Sequence, residues 1–158
     1  MNEHATQWVV LTWRLPASSS TPRVTTWRTL RRMGAVLLTP GAAVVPFGEE
    51  LLEQCEWLAQ RIEESGGEAW VLPVTQLSAR EEALIRERQR AGRGDEYAAL
   101  RSAAEHLGSR RGRSKPRSRT VRALERGFEE VLARDHFGAD GRARARRAIQ
   151  RARREVTA

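Results

Sequence analysis

The order of its hydrophobic patterns predicts an α+β fold for this 158-residue chain, a sheet-and-helix first half followed by a basic helical second half. Three observations carry that expectation. Residues 1–77 alternate short runs of β-branched and aromatic residues with helical periodicity, in the order βαββαβ. Residues 78–158 show helical periodicity alone. Charge divides at the same place: residues 1–77 hold 6 basic and 8 acidic groups, residues 78–158 hold 22 and 12.

Each element has a local cause. Residues 8–15, WVVLTWRL, join tryptophan to β-branched residues and stop at Pro16, as a strand does. Ser20 or Thr21 caps the next helix, Pro22 lies in its first turn, and Val24, Trp27 and Leu30 form an apolar stripe that Gly34 ends. On this reading Trp27 packs in the core. AVLLT and AAVVPF are two strands joined at Pro40-Gly41. Glu49, Glu50 and Glu53 favour the positive end of a helix dipole, and Leu51, Cys55, Leu58 and Ile62 recur at i, i+4, i+7 and i+11 before Gly66-Gly67. EAWVLPVTQ supplies a fourth strand, with Pro73 marking an edge or an end.

That order is the ferredoxin-like plan, an antiparallel four-stranded sheet with both helices on one face. Its second face is left apolar, which asks for a homodimer partner or for cover by a further element such as the C-terminal half. In that half, Ser78 and Glu81 match a capping box that opens an exposed helix to about Gln89, and Gly92 and Gly94 are expected to interrupt it. Tyr97, Leu100, Ala104 and Leu107 give residues 95–107 a burying face. GSRRGRSKPRSR, residues 108–119, has six basic groups, no acid and no large apolar residue, which is the composition of a loop. Ser118 or Thr120 then starts a helix with Val121, Leu124, Phe128 and Val131 on one side, ending near Gly138. A last helix from Arg142 to Glu155 sets Ala145, Ile149, Ala152 and Val156 against seven arginines. The expected organisation is a core domain over residues 1–77 and an arginine-rich helical extension over 78–158, packed on or beside it, with one hydrophobic core in all.

Composition excludes several classes. Hydrophobic residues at 40% and charged residues at 30% describe a folded chain rather than a disordered polymer or a membrane protein. No run of about 18 apolar residues occurs and the N-terminus lacks a secretory pattern, so a cytoplasmic location without membrane contact is expected. Cys55 is the sole cysteine, and His4, His106 and His136 lie far apart, so neither disulfide scaffold nor zinc module is expected, and no cofactor. Cys55 falls on an apolar stripe, the setting of an inert buried thiol. No carboxylate cluster suits a metal-dependent nuclease: the first strand ends Trp13-Arg14, and Asp135-His136 reads as a helix C-terminal turn. The expectation is a protein that is not an enzyme.

Charge is the informative quantity. A net charge of +8, an isoelectric point near 11.3 and a single lysine, Lys115, point to a polyanionic partner met by arginine forks, with double-stranded DNA as the first candidate. Arg110, Arg111, Arg113, Lys115, Arg117 and Arg119 fit a phosphate backbone, and six such pairs give log K a salt slope of about −5. Of the terminal helix's arginines, Arg142, Arg146 and Arg147 are singled out for the same role, and Arg28, Arg31 and Arg32 add basic groups on the first helix. A solvated linker and ordinary surface charge are the alternatives.

The segments WVVLTWRLP, R-V-x-x-W-R-x-L-R (Arg23 to Arg31) running into Gly34-Ala35-Val36, GRGDEYAAL, and Ala133-Arg134-Asp135 to Phe137-Gly138 resemble the N-terminal domain of the ChrB family of chromate-resistance regulators. The resemblance covers most of the chain. It implies a bacterial cytoplasmic regulator of a chromate-resistance operon, acting at promoter DNA and relieved by chromate, on a ferredoxin-like core related to the middle domain of PaaX-type repressors and to small CRISPR-associated nucleases. Family members often carry a second, C-terminal domain. A chromate effector needs convergent oxyanion donors, and Ser20, Thr21 and Arg23 at the start of the first helix are the local cluster of that kind. The expected function is therefore a DNA-binding transcriptional regulator that touches phosphates through its arginine-rich half and is homodimeric. A non-enzymatic module that docks an acidic protein partner or a missing sensor domain is the alternative.

Overall fold

The computed structural model describes residues 7–18, 20–109 and 118–157. In chain order the elements are β1 (Trp8–Arg14), α1 (Ser20–Met33), β2 (Val36–Thr39), β3 (Ala42–Pro46), α2 (Glu49–Glu64), β4 (Glu68–Val74), α3 (Ala79–Ser109), α4 (Ser118–Ala133) and α5 (Arg142–Thr157). They divide into two compact units, residues 1–85 and 86–158. Each unit has a hydrophobic cluster of its own, where the length alone suggested one core.

In the first unit the strands pair antiparallel in the order β2-β3-β1-β4, so the βαββαβ reading and its ferredoxin-like topology hold. Central β1 sets Leu11 opposite Ala43 on one side and Val71 on the other. Strand alternation turns Val9, Leu11 and Trp13 to one face. There Leu11 meets Leu30 of α1 and Leu58, Ala59 and Ile62 of α2, while Val9 meets Met33, Val45 and Cys55. On the opposite face Trp8, Val36 and Val44 are buried, whereas Trp70, 68% exposed, and Leu72 stand out from β4.

Helix α1 departs from the expected stripe. Its buried residues are Thr26, Leu30 and Met33, and Trp27 is 49% exposed rather than in the core. Three residues fall short of a helical turn by about 60°, so Val24, Trp27 and Leu30 step around the helix and cannot share one narrow face. Thr26, Leu30 and Met33, spaced four and three apart, can. Ser20 and Thr21 lie within the first turn of α1 rather than ahead of it.

Between β2 and β3 the chain turns at Gly41, which comes directly against β1. Gly41 accepts a hydrogen bond from the Trp13 N–H at 2.8 Å, and a Cβ at this position would lie 2.7 Å from the Trp13 carbonyl oxygen. Only a residue without a side chain permits that approach.

In the second unit α3, α4 and α5 bury their apolar sides against one another. Tyr97 and Ala104 of α3, Val121, Phe128 and Val131 of α4, and Ala145, Ala148, Ile149 and Ala152 of α5 make one cluster, with the Tyr97 and Phe128 rings 5.6 Å apart. The three alanines let the α5 backbone approach closely. Ser78 caps α3, its hydroxyl accepting from the Glu81 N–H at 3.3 Å, but the expected break at Gly92 and Gly94 is absent. Each glycine inside a helix costs about 1 kcal/mol, and tertiary contacts on either side of the pair outweigh that cost. Gln89 donates to the Arg134 carbonyl at 2.5 Å, Arg93 pairs with Glu96 at 2.7 Å, Glu96 also holds Arg134, and Tyr97 donates to Asp135 at 3.1 Å.

The same network ends α4 at Ala133, earlier than Gly138. Both oxygens of Asp135 accept from the Ala139 N–H, at 3.0 and 3.1 Å, folding residues 135–139 into a turn toward α5. The Arg86 guanidinium lies over the Phe137 ring at 4.6 Å. GRGDEY and ARDHFG, distant in sequence, are thus the two sides of one polar joint.

Two outcomes test this packing. Phe128→Ala should destabilise the protein by about 3–5 kcal/mol in urea unfolding, the usual cost of emptying an aromatic core position. Burial and the neighbouring, hydrogen-bonded Asp135 push the Tyr97 phenol from 10.0 up to about 12. The unfolded chain therefore releases this proton first as pH rises, so the contribution of Tyr97 is complete below pH 10.0 and is lost on passing through about 12. Tyr97→Phe should remove that part of the alkaline loss of stability, measured as the difference from the unsubstituted protein in unfolding titrations across the interval.

Candidate nucleic-acid interface and basic cleft

Charge follows the two units more sharply than it follows the halves of the sequence. Residues 1–85 hold 7 basic and 10 acidic groups, and residues 86–158 hold 21 and 10. The second unit alone thus carries net +11, and among the described residues the largest share of its arginine is on α5.

Helix packing sorts those arginines. Ala145, Ala148, Ile149 and Ala152 take the buried side, so all seven arginines of α5 fall on the remainder and are exposed. Arg146 and Arg153 lean toward α4: the Arg146 guanidinium lies 5.3 Å from the Phe128 ring centroid, and Arg153 pairs with Glu125 at 3.3 Å. Together with Glu129 they line a shallow depression in which carboxylates offset the positive charge. Arg142 lies near enough to Tyr97 to act on its phenol. Arg144, Arg147, Arg151 and Arg154, spaced three, four and three apart, form a separate exposed stripe that spans about 15 Å of helix.

Of the arginines singled out in the sequence, Arg147 is on this stripe, whereas Arg142 and Arg146 are on the flank nearer α4 and Tyr97. Arg144, Arg151 and Arg154 belong with Arg147, and a helical projection that starts from the alanines would have selected them. Arg110, Arg111, Arg113, Lys115 and Arg117 lie outside the described residues; Arg119 is exposed in the first turn of α4. Arg28, Arg31 and Arg32 are exposed on α1 but do not act as a set. Arg31 lies over the Trp27 ring at 5.3 Å, and Arg32 lines a groove with Glu50 and Glu53 of α2.

A second feature is a cleft of about 440 Å³ in the first unit, where the end of β1, the side of α1 and the β2–β3 turn meet. Trp13, Arg14 and Leu15 form one wall, Arg23, Thr26, Trp27 and Leu30 another, and Leu37, Pro40 and Gly41 the third. Two guanidinium groups and no carboxylate line it. Arg14 is tied to Glu68 at 3.1 Å, an exposed pair of little energetic weight, and Arg23 donates to the Pro16 carbonyl at 3.4 Å. Of the proposed oxyanion donors only Arg23 lines this cleft; Ser20 and Thr21 are exposed at the start of α1 and are not among its walls. The sequence pattern does not group Trp13, Arg14 and Trp27, because an apolar stripe of Val24, Trp27 and Leu30 assigns Trp27 to the core.

Cys55 is buried, and burial together with Glu56 pushes its thiol up to about 11, so thiolate chemistry is suppressed at neutral pH. Among the described residues no three of His, Cys, Asp and Glu gather where a metal ion would bind. No helix among them is long and apolar enough to cross a membrane.

Part of the chain is similar to known proteins. Over 81 residues the chain is 33% identical to Protein ChrB of Cupriavidus metallidurans (strain ATCC 43123 / DSM 2839 / NBRC 102507 / CH34), a match covering 51% of this chain and 25% of that protein. The matched stretch is thus a quarter of the relative's length. No solved structure matches the chain. Residues 23–107 match the family described as Protein ChrB, N-terminal, from Arg23 on α1 to nearly the end of α3, and stop before α4 and α5. With more than half of its residues in that match, the chain belongs to the ChrB N-terminal family.

Proposed function

We propose that this chain is a non-enzymatic, DNA-associated regulator of a chromate-resistance system. The second unit meets the phosphate backbone through its arginines, and chromate acts as the effector. The observation that carries the DNA reading is the concentration of net +11 in residues 86–158, with an exposed arginine stripe on α5 whose opposite side is buried. Such a surface neutralises phosphates and gains affinity by counterion release without choosing a sequence. The chromate reading rests on membership of the ChrB N-terminal family and on what its resemblance implies.

A homodimer completes the reading. Trp70 and Leu72 stand exposed on β4, an edge strand, where a second copy would cover them. Sedimentation equilibrium should give twice the chain mass, and Trp70→Glu should return it to the monomer. A monomer at all concentrations removes this element.

Fluorescence anisotropy with the operon's promoter fragment and a scrambled duplex, across a salt series and with or without chromate, tests the regulator directly. Expected are a promoter preference of about a hundredfold or more and its loss with chromate. Arg147→Ala and Arg151→Ala should each weaken both duplexes alike and flatten the salt slope by about 1. Equal binding to both duplexes leaves a basic nucleic-acid adaptor. Absence of binding at low salt favours docking to an acidic protein partner instead.

A further inference from the structure

We propose that the cleft between β1, α1 and the β2–β3 turn is a binding site for a small aromatic anion, whose ring lies against Trp13 and Trp27 while its carboxylate or sulfonate meets Arg14 and Arg23. This inference does not rest on the regulator reading, although Arg23 is also one of the three oxyanion donors named from the sequence.

Four observations converge on it. The lining unites two tryptophans with Leu15, Leu30 and Leu37, an apolar surface suited to a flat ring. Trp27 remains 49% exposed although it sits on a helix whose other side reaches the core. An exposed tryptophan inside a concavity is a large apolar area awaiting a partner. The lining charges are of one sign: Arg14 and Arg23 line the cleft, Arg31 lies over the Trp27 ring, and no acid is among the walls. The exposed pair that Arg14 makes with Glu68, weak and open to water, leaves its remaining donors for an anion. On α1 itself the charged residues are Arg23, Arg28, Arg31 and Arg32, without one carboxylate.

Size decides between kinds of anion. A cavity of about 440 Å³ lies within the range of small-molecule sites, roughly 300–1,000 Å³. A bare tetrahedral oxyanion fills a small part of it and leaves the Trp27 ring and the open edge of the partly buried Trp13 uncovered. A neutral aromatic molecule covers the rings but adds nothing at the guanidinium groups. A molecule that carries both parts uses the whole lining, with the charge-assisted bonds adding the selectivity. Gly41 makes the third wall possible, since any side chain there would collide with the Trp13 carbonyl.

The test follows the tryptophan indole N–H signals of the full chain by two-dimensional NMR, assigned with Trp13→Phe and Trp27→Phe. It uses 2-naphthoate as the probe, 2-naphthylmethanol as its neutral counterpart and chromate as the bare oxyanion. Naphthoate should shift the Trp13 and Trp27 signals saturably, with the alcohol about tenfold weaker, the loss expected when a charge-assisted bond is removed. Arg23→Ala should weaken naphthoate about tenfold, while Arg28→Ala, which removes the same charge from α1 outside the cleft, should leave it unchanged. Circular dichroism would verify that both variants keep their fold. Any of four results overturns the proposal: no saturable shift, equal binding of acid and alcohol, equal weakening by the two arginine variants, or displacement of naphthoate by chromate at comparable concentration.

Discussion

Strand β1 is the constraint on which the first unit depends. It lies between β3 and β4, so its backbone groups are paired on both sides and its side chains have two fixed faces. One face gives Val9 and Leu11 to the helices. The same alternation brings Trp13 to the helix side at the strand's end, where the β2–β3 turn closes against it through Gly41. A one-residue slip of β1 would send Trp13 to the other face and dissolve both the core contacts and the cleft.

The second unit is held differently. Its apolar cluster is rich in alanine, which gives close helix packing but little buried area per residue. A polar joint fastens the α4–α5 connection to α3: Tyr97 with Asp135, Glu96 with Arg134, and Gln89 with the Arg134 carbonyl. Because each group is at least partly shielded from water, these bonds gain in strength from their surroundings and would be costly to leave half made. The joint uses acidic and basic groups in near balance. The joint therefore leaves the exposed arginines of α5 outside its own charge balance.

Helix α1 serves two surfaces at once. Thr26, Leu30 and Met33 attach it to the sheet and α2, while Trp27 and the arginines face outward. Had Trp27 occupied the core position, the cleft would have lost its second aromatic wall. A threonine on the buried side and a tryptophan beside it invert the usual order of burial, an inversion expected at functional or strained sites.

Element order, strand alternation, the α2 stripe and the division of charge were all legible in the residue string, because each depends on neighbours within a few positions or on simple counting. Cys55 and Ile62 fell where their spacing put them, and Ser78 capped as its position suggested. The continuity of α3 through Gly92 and Gly94 and the early end of α4 were not legible, whereas the three-residue steps of Val24, Trp27 and Leu30 already run around α1 rather than along one face. The first two are set by partners far away in the chain, Arg134 and Asp135 beside Glu96 and Tyr97. A helical projection separates the α5 stripe from its flank, but which of them meets α4 needed α4 in place, and the cleft needed three segments from residues 13–41 brought together. Local pattern determines which elements form, because helix and strand periods are short-range properties. Which faces they bury, and which side chains remain to meet a ligand, is decided by long-range packing, where a few kcal/mol of tertiary contact outweigh propensity.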